Sequence, residues 1–226
     1  MSLPFADRLA KRWWALPAVA LLGACSTQVI VEAKFPTPLV ESLPVNVGIL
    51  IPEELYNYIY TEDVPNQSLW TIALGDANVA MLKPLFTRMF RDTRTVDAVP
   101  TADSAGGLDG VIEPTIAKFE FEVPVGQRDK FVEVWIQYQL TLYDADGRQV
   151  IEWPVSGYGK SELMHNRQDA VRKAAIVAMR EAGATISTKF AEQPQVKAWL
   201  GEKAHATTAG IGPQAAVAPD AKPGVP

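Results

Sequence analysis

Between Phe131 and Gly159 the chain reads "FVEVWIQYQLTLYDADGRQVIEWPVSGYG", and this stretch leaves little freedom in how it folds. Val132, Val134, Ile136, Tyr138, Leu140 and Leu142 fall on alternate positions. Glu133, Gln137, Gln139 and Thr141 lie between them, with Trp135 and Tyr143 in the same phase. Side chains alternate across a strand and not along a helix, so this period of two specifies a strand with one apolar and one polar face. "DADG", Asp144 to Gly147, supplies a turn, and "RQVIEWPV" returns as the hairpin partner.

Shorter elements flank the hairpin. "PVNVGILI", Pro44 to Ile51, is an apolar, β-branched run between prolines and reads as a buried strand. Gly75 to Asp92 reads as a helix, with Asp76 as its N-cap and Val79, Leu82, Phe86, Met89 and Phe90 as its stripe. Pro84 should kink it or mark a short first segment. "TRTVDAVP" reads as a strand and "DSAGGLDG" as a loop. In "VIEPTIAKFEFEVP", Phe119, Phe121 and Val123 alternate with Glu120 and Glu122, a half-buried strand that Pro114 breaks or bulges at its start. Asn166 to Phe190 is a long helix, capped by Asn166 with Asp169 in its first turn. Its stripe, Val171, Ala175, Ala178, Ala182, Ile186 and Phe190, is mostly small and suits close packing on a sheet. "QPQVKAWL" adds a terminal turn or short helix. Adjacent strands with helices to cover one face give an α+β fold. The expected form is a two-layer sandwich, a mostly antiparallel sheet with a long hairpin packed by two main helices.

The start of the chain carries a different signal. Arg8, Lys11 and Arg12 precede "WWALPAVALLGA", Trp13 to Ala24, a run of 12 uncharged residues. A hydrocarbon core needs about 20 to be spanned. A charged start, a short apolar core and small residues at its end describe a signal peptide, residues 1–24. The next residue, Cys25, is the chain's only cysteine, so no intrachain disulfide forms. Loss of the leader would take Lys and Arg from 21 to 18 and Asp and Glu from 26 to 25, moving the net charge from −5 to −7. That acidic balance argues against a nucleic-acid partner and against a polybasic hold on a membrane. Residues 25–44, with Pro36, Pro38 and Pro44, read as an N-terminal, proline-containing tether. Residues 45–203 form one α+β domain, and 204–226, rich in Ala, Gly and Pro, a disordered tail.

Two resemblances add to these readings. "LGAC", Leu22 to Cys25, resembles the lipobox of bacterial lipoproteins. The resemblance implies cleavage before Cys25 and acylation of its sulfur and new amine. Several acyl chains anchor durably, since each buried CH₂ contributes ~0.8 kcal/mol and a single chain is marginal. Ser26 after the cysteine, where an aspartate would hold an enterobacterial lipoprotein in the inner membrane, implies the periplasmic face of the outer membrane. The second resemblance lies in the domain. Asp146 and Gly147 in the turn, Trp153, then Gly157 and Gly159 before a long helix resemble periplasmic domains related to the TolB N-terminal fold. Peptidoglycan-synthase activator lipoproteins and the curli-secretion lipoprotein are examples. The resemblance implies a non-enzymatic part that binds other envelope components. Residues 53–74 depart from that pattern as a long insertion after the first strand.

Catalytic chemistry is sparse. His165 and His205 are the only histidines, and acylation of Cys25 would leave no Cys–His pair. Zinc would have to rest on carboxylates, so neither metal nor cofactor is expected. "GYGKS" has the end of a P-loop, but Pro154 stands where its first glycine belongs. Its glycines instead allow a backbone to approach. The "DADG" stretch reads as a hairpin turn and not a calcium loop. Tyr56, Tyr58 and Tyr60 alternate, with Trp70 nearby and "TEDV" beside them. Extended, they would form an aromatic, acidic surface for a basic partner or a glycan; cross-strand packing inside the domain is the competing reading. The expected function is a binding or assembly factor for a transport, secretion or peptidoglycan complex, with a protein partner, a copy of itself or peptidoglycan as the bound component. The alternative is an envelope-acting hydrolase using carboxylates among Asp63, Glu113, Glu133 and Glu152.

Overall fold

The computed structural model describes residues 26–65, 67–124 and 130–209. The leader, Cys25 and the chain after residue 209 lie outside the described residues. The long hairpin forms as its pattern dictates: β7 (Phe131–Asp144) and β8 (Gln149–Glu162) run in register from Phe131↔Glu162 to Leu142↔Ile151. The alternating apolar side chains of β7, Val132 to Leu142, are all buried. Gly147 takes φ 80°, the left-handed conformation that its turn requires. Asp144 Oδ1 accepts hydrogen bonds from the backbone N–H of Asp146 at 2.9 Å and of Arg148 at 2.8 Å.

These strands belong to a five-stranded sheet of order β5 (Phe90–Thr95), β2 (Leu43–Ile49), β6 (Gly110–Glu122), β7, β8. The long β6–β7–β8 ladders are antiparallel, while β2 joins β5 and β6 in parallel. A parallel neighbour needs a crossover. Helix α2 (Gly75–Met89) lies in the one that links β2 to β5. A smaller sheet holds β1 (Ser26–Ile30), β4 (Leu69–Ala73) and β3 (Ile59–Asp63), with β4 in the centre. Helix α3 (Arg167–Lys189) lies across β7 and β8 and touches β1. Helices on one face of a sheet make the expected α+β sandwich, and one continuous apolar core joins both sheets.

Three elements differ in detail from expectation. Leu74, not Asp76, caps α2, and its buried side is Ala77, Asn78, Met81, Leu82, Leu85, Phe86 and Met89, with Val79 only half-buried. The helix runs through Pro84, which lies on its exposed side. β5 starts at Phe90, ahead of "TRTVDAVP", because Phe90 packs between Phe86 and Phe190, with ring centroids 6.4 and 5.8 Å away. The bulge in β6 falls between Ile116 and Lys118, not at Pro114. The β2 ladder has already ended at Ile112, so Pro114 has no need of an N–H on that side.

Both expected ends of the domain also move. Ser26–Ile30 is not tether: it is β1, paired in parallel with β4, and Val29 and Val31 are buried. Phe35 and Val40, further along, pack against the core. The insertion supplies the rest of the small sheet, since 53–74 contains α1 (Glu53–Tyr56), β3 and β4. At the other end, a single 3₁₀ turn (Phe190–Glu192) leads into α4 (Pro194–Ala209), so the first residues of the expected tail are helical. Buried Val196 and Trp199 seat α4 on the domain.

Candidate functional site

Helices cover one face of the five-stranded sheet, and much of the other is open. Residues paired across the ladders share a face. Glu120, Trp135 and Tyr158 therefore form one row across β6, β7 and β8. The rows beside it are Glu122, Glu133, Lys160 and Lys118, Gln137, Ser156. Trp135 and Tyr158 are 38 % and 37 % exposed, with ring centroids 5.3 Å apart and planes at 43°. A cavity of about 220 Å³ lies against Trp135, lined also by Lys118, Glu120, Gln137 and Ser156. Large aromatic surfaces held rigid by sheet neighbours are what docking interfaces use.

Ion pairs frame the aromatic pair. Lys118 Nζ meets Glu120 at 2.8 Å, and Lys160 Nζ meets Glu133 at 2.8 Å and lies 4.5 Å from the Phe131 ring centre. The hydrogen bond from Lys160 holds the Glu133 carboxyl below its usual pKa. Glu113, Glu122, Glu152 and Glu162 share this face, so carboxylates outnumber its two lysines. Leu108 and Val111 are buried at its far end, where the loop before β6 folds over it.

The aromatic residues singled out in the insertion do not assemble into a surface. Tyr56 is in α1 and is exposed. Tyr58 and Tyr60 are half-buried against the core. Tyr60 packs on Phe119 and Phe121 with centroids 5.0 and 6.1 Å away, and its hydroxyl donates to Glu62 at 2.8 Å. Burial, and then that bond, push its pKa to about 12. Trp70 is 2 % exposed and packs on Phe121 at 5.4 Å. An extended run would have shown all three tyrosines to one side; a helical turn at Tyr56 and the pairing of β3 with β4 prevent it. Trp135 and Tyr158 carry the exposed aromatic surface instead. Their signal was in the sequence, since an aromatic side chain in the polar phase of an alternating strand has no core to enter.

No facing carboxylate pair emerges from the four acids considered for hydrolysis. Glu133 is held by Lys160, and Glu113 accepts from the Tyr143 hydroxyl at 3.0 Å. Glu152 shares a row with Glu113, with Thr141 of β7 between them, so their backbones are about 10 Å apart. Asp63 is in the other sheet. The cavity at Trp135 holds a single carboxylate, Glu120, already paired. His165 precedes α3 and His205 is in α4, both exposed. Among the described residues no group of three His, Cys, Asp or Glu side chains is placed to hold a metal ion. Nor is any described helix long and apolar enough to cross a membrane.

"GYGKS" serves packing. A Cβ on Gly157 would stand 2.0 Å from the Ala178 carbonyl oxygen, and one on Gly159 1.9 Å from that of Ala174. The glycines let α3 lie directly on β8.

No family model matches the chain. No curated protein matches it in sequence. Solved bacterial structures do resemble it. A Xanthomonas campestris protein of the DUF330 family is 12 % identical, covers 81 % of this chain and 98 % of its own, and has a TM-score of 0.42. The minor lipoprotein of Acinetobacter baumannii is 7 % identical over 65 % of this chain and 92 % of its own, with a TM-score of 0.38. Lipoprotein GNA1162 of Neisseria meningitidis is 11 % identical over 74 % of this chain and 98 % of its own, with a TM-score of 0.31. None of the three is named as a TolB, curli-secretion or synthase-activator protein.

Proposed function

We propose that the chain is a lipid-anchored protein of the bacterial envelope, acylated on Cys25 at the periplasmic face of the outer membrane. Its domain docks a partner protein through the open sheet face. What supports the anchor is the charged start, the apolar run and "LGAC", followed at once by β1 at Ser26. The docking role is carried by one observation, the exposed Trp135–Tyr158 pair within a frame richer in carboxylates than in lysines. That complementarity selects a basic segment of an envelope protein, whose arginines can stack on the rings and pair with the glutamates. The role is accessory: binding and assembly, without catalysis.

Two experiments test the reading. Cys25→Ala is expected to move the protein from the membrane fraction to the soluble fraction, and unchanged fractionation overturns the anchor. A photo-crosslinking residue at position 137 in living cells is expected to capture an envelope protein through a Lys- or Arg-bearing segment. Trp135→Ala with Tyr158→Ala should abolish the adduct while the melting temperature holds. Capture of a second copy alone, capture of peptidoglycan, or an adduct indifferent to both substitutions overturns the docking reading.

A further inference from the structure

Two sheet faces of the domain are open, and their chemistry differs. The face around Trp135 is lined with glutamates. The other is the outer face of the small sheet. Across its ladders Ile30, Ala73 and Ile59 form one row, and Ser26, Leu69 and Asp63 form the row at the opposite end. Gln28, Thr71 and Thr61 lie between them, so Asp63 is the only charge on these three rows. The side chains on the inner face, Val29, Trp70 and Ile72, are buried. On the outer face Ile59, Ile30 and Leu69 are 59 %, 51 % and 43 % exposed, each more than Trp135 or Tyr158. A contiguous set of apolar side chains left in water on an uncharged face marks a surface that something covers.

Where the chain enters this face indicates what covers it. Cys25 directly precedes Ser26, which stands at a corner of the outer face. One residue, about 3.8 Å of backbone, separates that cysteine from the sheet. Acyl chains on it would lie in a leaflet and bring this corner down to the lipid. Charge selects the same face. The chain is acidic, with a net charge of −5, and an anionic leaflet repels an acidic surface. The glutamate-rich face is repelled, and the nearly uncharged one is not. The small sheet packs through Tyr60 and Trp70 on Phe119 and Phe121, which share their rows with the buried Ile136 and Val134. Its outer face and the Trp135 face therefore lie on opposite sides of the domain.

We infer that the outer face of the small sheet lies on the phospholipid leaflet, with Ile30, Ile59 and Leu69 inserted at the level of the headgroups. This seat turns the Trp135–Tyr158 face away from the lipid, toward whatever docks there. The inference rests on the anchor proposed above. Acyl chains hold the protein, and three apolar side chains, too few to bind a membrane durably by themselves, set its orientation. Because the face carries almost no charge, the contact is apolar and does not select among headgroups.

The test uses the full acylated chain in vesicles of phosphatidylethanolamine and phosphatidylglycerol. Cys25 is the only cysteine, so acylation leaves no free thiol. A nitroxide can then be placed through Thr61→Cys on the outer face and, as a reference, through Gln137→Cys on the other. Oxygen concentrates in lipid, whereas a nickel chelate stays in water. The ratio of nitroxide collisions with oxygen to those with the chelate is expected to be several-fold higher at position 61 than at 137. Ile30→Glu with Ile59→Glu, both at exposed positions, should lower the ratio at 61 to that at 137 while the protein still pellets with the vesicles. Equal ratios at the two positions, a label at 61 shielded from both reagents, or a ratio indifferent to the two substitutions overturns the seat and leaves the anchor standing. An intact mass without acyl chains overturns the anchor, and the seat with it.

Discussion

A methyl group on Gly159 would stand 1.9 Å from the Ala174 carbonyl oxygen, and backbone cannot yield as a flexible side chain does. Gly159→Ala is therefore expected to destabilise the domain by ~3 kcal/mol, the upper range of overpacking costs. Gly201→Ala is the control. A Cβ there meets nothing within 4 Å, and a helical Gly→Ala change should stabilise by ~0.5–1 kcal/mol. Thermal melts of the two variants check both signs. At this scale the sequence was partly legible. The glycines of "GYG" announced a close approach, and the alanines of α3 supplied what approaches. For Trp70 both surface and core readings were open, and the core one holds; the sequence alone does not choose, because burial depends on Phe121, some fifty positions away in the other sheet.

Elements were legible where one period runs unbroken and capping chemistry agrees with it. Helix α3 is such a case: Asn166 N-caps it through its side chain, as its residue type suggests. Asn166→Ala should cost ~1 kcal/mol, read as a fall in denaturant midpoint with unchanged slope. β6 shows the opposite. Ile112, Pro114 and Ile116 point inward from even positions, whereas Phe119, Phe121 and Val123 do so from odd ones. A one-residue bulge reconciles the two phases, and without knowledge of β7 the phase change looks like a break at the proline. Strand β1 was hidden for a related reason. Five residues with a single buried side chain carry too little pattern, and their partner β4 lies beyond three intervening elements.

For the molecule as a whole, the five-stranded layer and its helices followed from the alternation of β7 and the small-residue stripe of α3. The second sheet did not, since it joins the start of the chain to an insertion. That junction makes a prediction. Removal of residues 1–31 takes away β1 with Val29 and Val31, two buried valines worth about 1.5–3 kcal/mol each. The melting temperature should fall by roughly 10 °C or more. A truncated protein that melts like the full chain would show the segment to be dispensable. The same junction governs reach. On the proposed anchor, the first ladder begins one residue after the acylated cysteine, and no slack separates lipid from globule. Such a protein cannot swing out across the periplasm. Whatever docks on Trp135 and Tyr158 has to come to the leaflet, and the length that bridges the gap belongs to the visitor's sequence.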